Sequence, residues 1–130
     1  MFKKIITQRI SETNITRHIG HTAIPVWLEE GYAEIIRLFS QNFAEPSLIT
    51  VNLNIDFLHE IFFGKDVEIL TRVKKIGASS FVLHQEVYQD GKLCVQASTT
   101  LVHFDYSTHK PDPIPKSVRD ILNEHVSVSS

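Results

Sequence analysis

Glu12-Thr13-Asn14-Ile15-Thr16-Arg17-His18-Ile19-Gly20-His21-Thr22-Ala23-Ile24-Pro25-Val26-Trp27-Leu28-Glu29-Glu30 is the stretch that decides the fold. Its first half, Glu12 to His21, has no regular hydrophobic period and reads as a loop. Its second half opens a helix. Ile24, Leu28, Gly31, Tyr32, Ile35, Ile36 and Phe39 recur at helical spacing, and Trp27 and Leu38 widen the same stripe. Glu30, Ala33, Glu34, Arg37 and Gln41 fall on the other side. Thr22 is the expected N-cap and Pro25 fits the first turn. Asn42 to Ser47, with Pro46, is the expected end of the helix.

Working outward, residues 2–11 read as a first strand, with Phe2, Ile5, Ile6 and Ile10 as its apolar bulk. Beyond the helix the period changes from helical to alternating. Val51, Leu53, Ile55 and Phe57 alternate with Asn52, Asn54 and Asp56, a half-buried strand. A strand from about Asp66 to Ile76 puts Val67, Ile69, Thr71 and Val73 on one face. Gly77-Ala78-Ser79 is a turn, Phe81 to Gln89 a strand, and Asp90-Gly91 a hairpin signal. Lys92 to Asp105 is a long strand. Pro111, Pro113 and Pro115 punctuate the tail, a short helix spans about Lys116 to Glu124, and the final Ser-Val-Ser-Ser reads as frayed. One long helix on a curved antiparallel sheet is an α+β architecture, here a single domain over residues 1–130. One helix covers one sheet face. Val82, Val102 and Phe104, on the other, call for a second copy, which predicts a homo-oligomer.

The chain has 130 residues, is 42% apolar and 22% charged, and carries a net charge of −2, the profile of an ordinary globular domain. No basic surface is implied, so nucleic acid is not an expected partner. No apolar run reaches the ~18 residues of a membrane span, and the N-terminal apolar stretch is too short for a signal peptide. The single cysteine, Cys94, allows no internal disulfide and no Cys-rich zinc site, which points to the reducing cytoplasm. It sits within a strand and reads as packed rather than nucleophilic.

The opening stretch resembles the signature of the 4-hydroxybenzoyl-CoA thioesterase-like branch of the hotdog superfamily. Glu12-Thr13-Asn14 falls on that family's Asp-Thr-Asp, and, after three intervening residues, His18-Ile19-Gly20-His21 falls on its His-Val-Asn-Asn. Trp27-Leu28-Glu29 falls on its aromatic-Phe-Glu helix start. Asp56-Phe57-Leu58, Phe63-Gly64-Lys65-Asp66, Ile76-Gly77-Ala78-Ser79-Ser80 and Pro113-Ile114-Pro115 resemble family patterns at matching spacing. The resemblance implies a hotdog fold, a long central helix wrapped by a curved antiparallel sheet. It also implies a thioester hydrolase acting on acyl-CoA or acyl-carrier-protein thioesters, and the uncovered sheet face makes a homodimer or homotetramer the expected assembly. The expected substrate is a small or medium acyl or aryl thioester, with CoA as part of the substrate and no other cofactor. Two departures bear on mechanism. Asn14 stands where the family has its usual catalytic carboxylate, and Gly20-His21 replaces Asn-Asn. An amide cannot take a proton from water or act as a carboxylate nucleophile. A non-catalytic hotdog module that binds acyl-CoA or a carrier protein is therefore the alternative. A hotdog dehydratase fits less well, because those enzymes distribute histidine and carboxylate differently about the helix.

Thioester hydrolysis needs an activated water, a stabilised oxyanion and an aligned acyl group. The helix start offers backbone N–H donors from His21 to Ile24, while Pro25 has no N–H to give; the resemblance implies a thioester carbonyl near such a start, with Thr22 and Ala23 as substrate-binding residues. The candidate catalytic side chains are Asn14, His21, Glu30, Glu29 and His18, and Glu12 borders the loop. Asn14 has both donors and an acceptor for water or carbonyl. As alternatives, it makes an Asx-turn, and the glutamates are a solvated helix face. Lys74, Lys75, Ser79 and Ser80 resemble the segment that lines the pantetheine and nucleotide path, and their charge suits phosphates. His18-x-x-His21 lacks a clear third ligand, so no metal is expected. His59, His84, His103, His109 and His125 receive no role.

Overall fold

In a computed structural model, residues 1–14, 18–39 and 47–126 are described. The elements run β1 (Phe2–Ile6), α1 (Ile24–Gly31), α2 (Ala33–Phe39), β2 (Leu48–Phe57), β3 (Val67–Ile76), β4 (Ser80–Gln89), β5 (Lys92–Asp105), β6 (Lys110–Pro111) and α3 (Lys116–Glu124). The strands form one antiparallel sheet in the order β1-β3-β4-β5-β2, with β6 paired to β5. Among the described residues no helix is long and apolar enough to cross a membrane.

Alternation places odd-numbered residues of β3, β4 and β5 against the helices. Val67, Ile69, Val73, Phe81, Leu83, Val87, Val95, Ala97 and Leu101 are buried there. They meet Ile24, Trp27, Leu28, Tyr32 and Ile35 from the helical stripe. Val82, Val102 and Phe104 face the other way and are half-buried. The Asp90-Gly91 turn takes positive φ at both residues, 52° and 76°, the backbone of a type I′ hairpin. The short helix α3 packs Val118 and Leu122 into the core against β3.

The structure departs from the sequence expectations at four places. β1 ends at Ile6, and a 3-10 turn at Ile10–Glu12 replaces the rest of the expected strand. Thr22 is not a cap: a 3-10 turn over His21–Ala23 precedes α1, and neither start has a side-chain cap. The long central helix is in two pieces that break at Tyr32 (φ −112°, ψ 21°). The apolar face of β2 is uncovered, with Val51 57%, Leu53 41% and Phe57 54% exposed. The expected helix end at 42–46, Gln41 and the tail at 127–130 lie outside the described residues.

The helix break has a tertiary cause. Gln85 donates its amide to the Leu28 carbonyl at 2.9 Å, and Thr71 donates its hydroxyl to the Gly31 carbonyl at 3.2 Å. At Gly31 the sheet side chain takes the carbonyl while the Ile35 N–H turns to the Tyr32 carbonyl, and a side chain inserted in the helical ladder is a recognised source of kinks. Gly31 permits this approach: an added Cβ would lie 2.8 Å from Ile69 Cγ2 and 3.0 Å from Gln85 Nε2. Ile69 is β-branched and fully buried, and the Gln85 amide is pinned, so neither yields easily. Gly31→Ala is expected to destabilise by about 1–3 kcal/mol through overpacking. That outweighs the ~1 kcal/mol gained in helix propensity. A lower urea midpoint, followed by Trp27 fluorescence, checks this; a raised midpoint contradicts it.

Candidate active site

Hydrogen bonds tie together the described residues of the loop before α1. The Asn14 N–H donates to the His18 carbonyl at 2.7 Å, and the His18 N–H donates to Asn14 Oδ1 at 3.2 Å. Thr13 and Ile19 form an antiparallel bridge, and the Gly20 N–H donates to the Glu12 carbonyl at 2.8 Å. The Glu12 carboxylate accepts from the Trp27 indole N–H and from the Arg9 N–H at 2.7 Å. Glu12 therefore ties the loop to α1, and its carboxylate is engaged in that support.

A second segment meets this loop. Ile19 donates its N–H to the Ile61 carbonyl at 2.9 Å, and His18 and Phe62 form an antiparallel bridge. Two glutamine amides fix the second segment. Gln89 donates to the Phe62 carbonyl at 2.8 Å and accepts the Phe62 N–H at 3.0 Å. Gln8 donates to the same carbonyl at 2.8 Å and accepts the Gly64 N–H at 2.7 Å. Gly64 has φ 110°, a conformation that only glycine adopts without strain.

Between the segments lies an open cleft of about 340 Å³. Asn14, His18, His21 and Ile24 line one wall, and Phe57, His59, Glu60 and Ile61 the other. His18 Nδ1 lies 3.3 Å from Glu60 Oε2. The His21 ring sits edge-on to Phe57, 6.3 Å between centroids. The 3-10 turn uses the Ala23 and Ile24 N–H groups for bonds to the Gly20 and His21 carbonyls. Of the N–H groups from His21 to Ile24, those of Ala23 and Ile24 are thereby already engaged.

The cleft gathers Asn14, His18 and His21 from the residues read in the sequence. Glu29 and Glu30 are exposed on α1 and are not among the lining residues. Lys74, Lys75, Ser79 and Ser80 lie at the opposite end of the sheet: Ser80 pairs with Val102, whereas Val95 borders the cleft. Val95 and Val102 are roughly 24 Å apart along β5, at ~3.4 Å per residue. Phe57, His59 and Glu60 are lining residues that the sequence reading did not assign. Cys94 is buried, and burial raises its thiol above the ordinary range, as suits a packed side chain. Among the described residues no group of three or more His, Cys, Asp or Glu is placed to hold a metal ion.

Residues 9–122 match the sequence profile of the thioesterase-like superfamily. Three solved structures are similar. A predicted thioesterase from Bacillus stearothermophilus shares 34% identity at a TM-score of 0.94, covering 99% of this chain and 98% of its own. A thioesterase from Thermus thermophilus, complexed with coenzyme A and Zn, shares 18% identity at 0.85, covering 95% and 92%. A 1,4-dihydroxy-2-naphthoyl-CoA thioesterase from Synechocystis shares 16% at 0.83, covering 95% and 96%. The last two likenesses are of fold.

Proposed function

The chain belongs to the thioesterase-like superfamily, and from that premise we propose that it hydrolyses acyl-CoA thioesters in the cleft that Asn14, His18, His21 and Ile24 line opposite the Phe57–Ile61 segment. The observation that carries the reading is the convergence of His18, His21 and Asn14 beside the His21–Thr22 turn. Water attacks the carbonyl carbon while an imidazole of the cleft takes its proton. The turn's N–H groups receive the developing oxyanion, and the CoA sulfur leaves with a proton. Asn14 orients water or carbonyl and transfers no proton. The cleft is sized for a small or medium acyl or aryl group, with the rest of CoA lying outside it. The Thermus relative, crystallised with coenzyme A, supports this choice of substrate class.

The working unit is a homodimer through β2. This edge strand has ten residues and presents Val51, Leu53 and Phe57 to solvent, an arrangement that soluble proteins seldom leave open. Antiparallel pairing of two β2 edges about a two-fold axis satisfies their open backbone groups and sets the two apolar faces side by side. It also brings the Lys74–Ser80 end of the second sheet toward this cleft, where phosphates of CoA need positive charge. Light scattering is expected to give a dimer for the parent and a monomer for Leu53→Asp; a monomeric parent at micromolar concentration contradicts the pairing.

Release of free thiol from a panel of acyl-CoAs tests the activity. Turnover on at least one member is expected, and none above the uncatalysed rate on any member overturns the reading. The alternative, a module that binds acyl-CoA or an acyl-carrier protein without hydrolysis, rests on the amide at Asn14. It prevails if the parent binds CoA without turnover and Asn14→Asp hydrolyses.

A further inference from the structure

We propose that Gln85 Oε1 and Thr99 Oγ1 hold one ordered water molecule beneath the break between α1 and α2. Both residues lie on the inward face of the sheet and are buried, at 0% and 2% exposure. Among the described residues, these are the two buried side-chain oxygen or nitrogen atoms that lack a hydrogen-bond partner. The chemistry of the amide fixes which of its ends is left over. Gln85 Nε2 donates to the Leu28 carbonyl at 2.9 Å and to Thr71 Oγ1 at 3.0 Å, and the Thr71 hydroxyl donates onward to the Gly31 carbonyl at 3.2 Å. A flipped amide would set its oxygen against the Leu28 carbonyl, acceptor against acceptor. Both amide hydrogens are therefore used, and Oε1 is left as a pure acceptor.

The register brings the second atom near. Gln85 faces Ala97 across β4 and β5, and Leu83 faces Thr99, so Gln85 and Thr99 are diagonal neighbours. Such pairs have Cα atoms about 7–8 Å apart, within reach of a long side chain. The residue directly opposite Gln85 is Ala97, whose methyl is the least bulky side chain between Val95 and Leu101 on that face. The occupant must donate to Oε1, and it must also bond to a hydroxyl that both donates and accepts. Water does both, and two bonds of about 2.8 Å bridge such a gap. A cation does not fit, because Leu83, Val87 and Ala97 around the amide are apolar and offer no countercharge. Buried polar atoms left unpaired carry the full cost of desolvation, and internal water is the usual remedy. With the water in place, one polar row runs from the Gly31 carbonyl through Thr71 and Gln85 to Thr99. It ties β3, β4 and β5 to the helix at its break, and the same α1 carries Ile24 into the wall of the cleft.

A crystal structure of the full chain at about 1.5 Å or better is expected to show one water within hydrogen-bond distance of both atoms. In solution, the Gln85 side-chain amide should show a cross-relaxation signal to a long-lived water. Thr99→Val gives an independent readout whose sign decides. The two side chains have nearly the same shape, so only the hydroxyl is lost. If water bridges the pair, the variant loses one anchor and strands Oε1, and Tm should fall by roughly 3–6 °C. If the Thr99 hydroxyl is simply unpaired, a methyl in its place should leave Tm unchanged or raise it. Thr99→Ser, which keeps the hydroxyl, should keep the water in its crystal structure. A parent structure with no water there, a direct bond between the two atoms, or a Thr99→Val variant at least as stable as the parent each overturns the assignment. Should Thr99→Val fail to fold, the parent crystal and the amide signal decide it without the variant.

Discussion

Trp27→Ala is expected to lower the unfolding free energy by about 3–5 kcal/mol. Trp27 is completely buried, packed in one cluster with Leu28, Ile69, Val87 and Val95. Removing it leaves a void that α1 and the sheet cannot both close. Domains of this size have roughly 5–15 kcal/mol in total, so the variant should sit near the edge of folding. Trp27→Phe separates two contributions. It keeps much of the ring volume but leaves the half-buried Glu12 carboxylate without the indole N–H, a loss of about 1–3 kcal/mol. Because Trp27 is the only tryptophan, both variants need circular dichroism rather than fluorescence to read the urea midpoint. A cost under about 1 kcal/mol for the alanine variant would mean that the site repacks. The phenylalanine variant should also lose activity, since Glu12 anchors the loop that carries Asn14 and His18.

The elements that local chemistry determines were legible in the sequence. Asp90-Gly91 specifies a hairpin by its backbone preferences, and Lys92 to Asp105 and Lys116 to Glu124 end where the structure ends them. The helix break was not legible, because the side chains that meet the Gly31 and Leu28 carbonyls, Thr71 and Gln85, lie 40 and 57 residues away along the chain. A signal did exist. Thr71, Gln85 and Gln89 occupy inward-facing positions of β3 and β4, where a polar side chain must find a partner. Their partners prove to be the helix carbonyls and the Phe62–Lys65 segment. The site divides in the same way. Asn14, His18 and His21 are close in sequence and could be read together. Glu60 and His59 reach the cleft only because residues 61–62 pair with 18–19, a tertiary contact with no periodic trace. Lys74 and Ser80 were matched by motif, but strand length carries them to the far end of the sheet, so a link to the cleft requires a second copy.

His18→Ala is expected to lower kcat on a thioester by about 10²–10⁴-fold, the range for loss of a positioned general base. KM should change little, because the imidazole acts on water rather than on the acyl chain. His21→Ala should cost less. Its backbone N–H survives the substitution, and the donor at the head of the 3-10 turn is the part of His21 that the mechanism uses. The double variant His18→Ala with Asn14→Asp decides between a base and a merely structural histidine. Asn14 Oδ1 already accepts the His18 N–H at 3.2 Å, and Asp preserves that acceptor while adding a carboxylate at the cleft wall. If His18 supplies the base, the new carboxylate should restore part of the lost kcat, since the oxyanion donors and the cleft are unchanged. If His18 only shapes the loop, Asp cannot rebuild that shape, and the double variant should be as slow as His18→Ala alone. A single His18→Ala variant within about threefold of the parent in kcat would remove His18 from the chemistry and leave His21 as the imidazole to test.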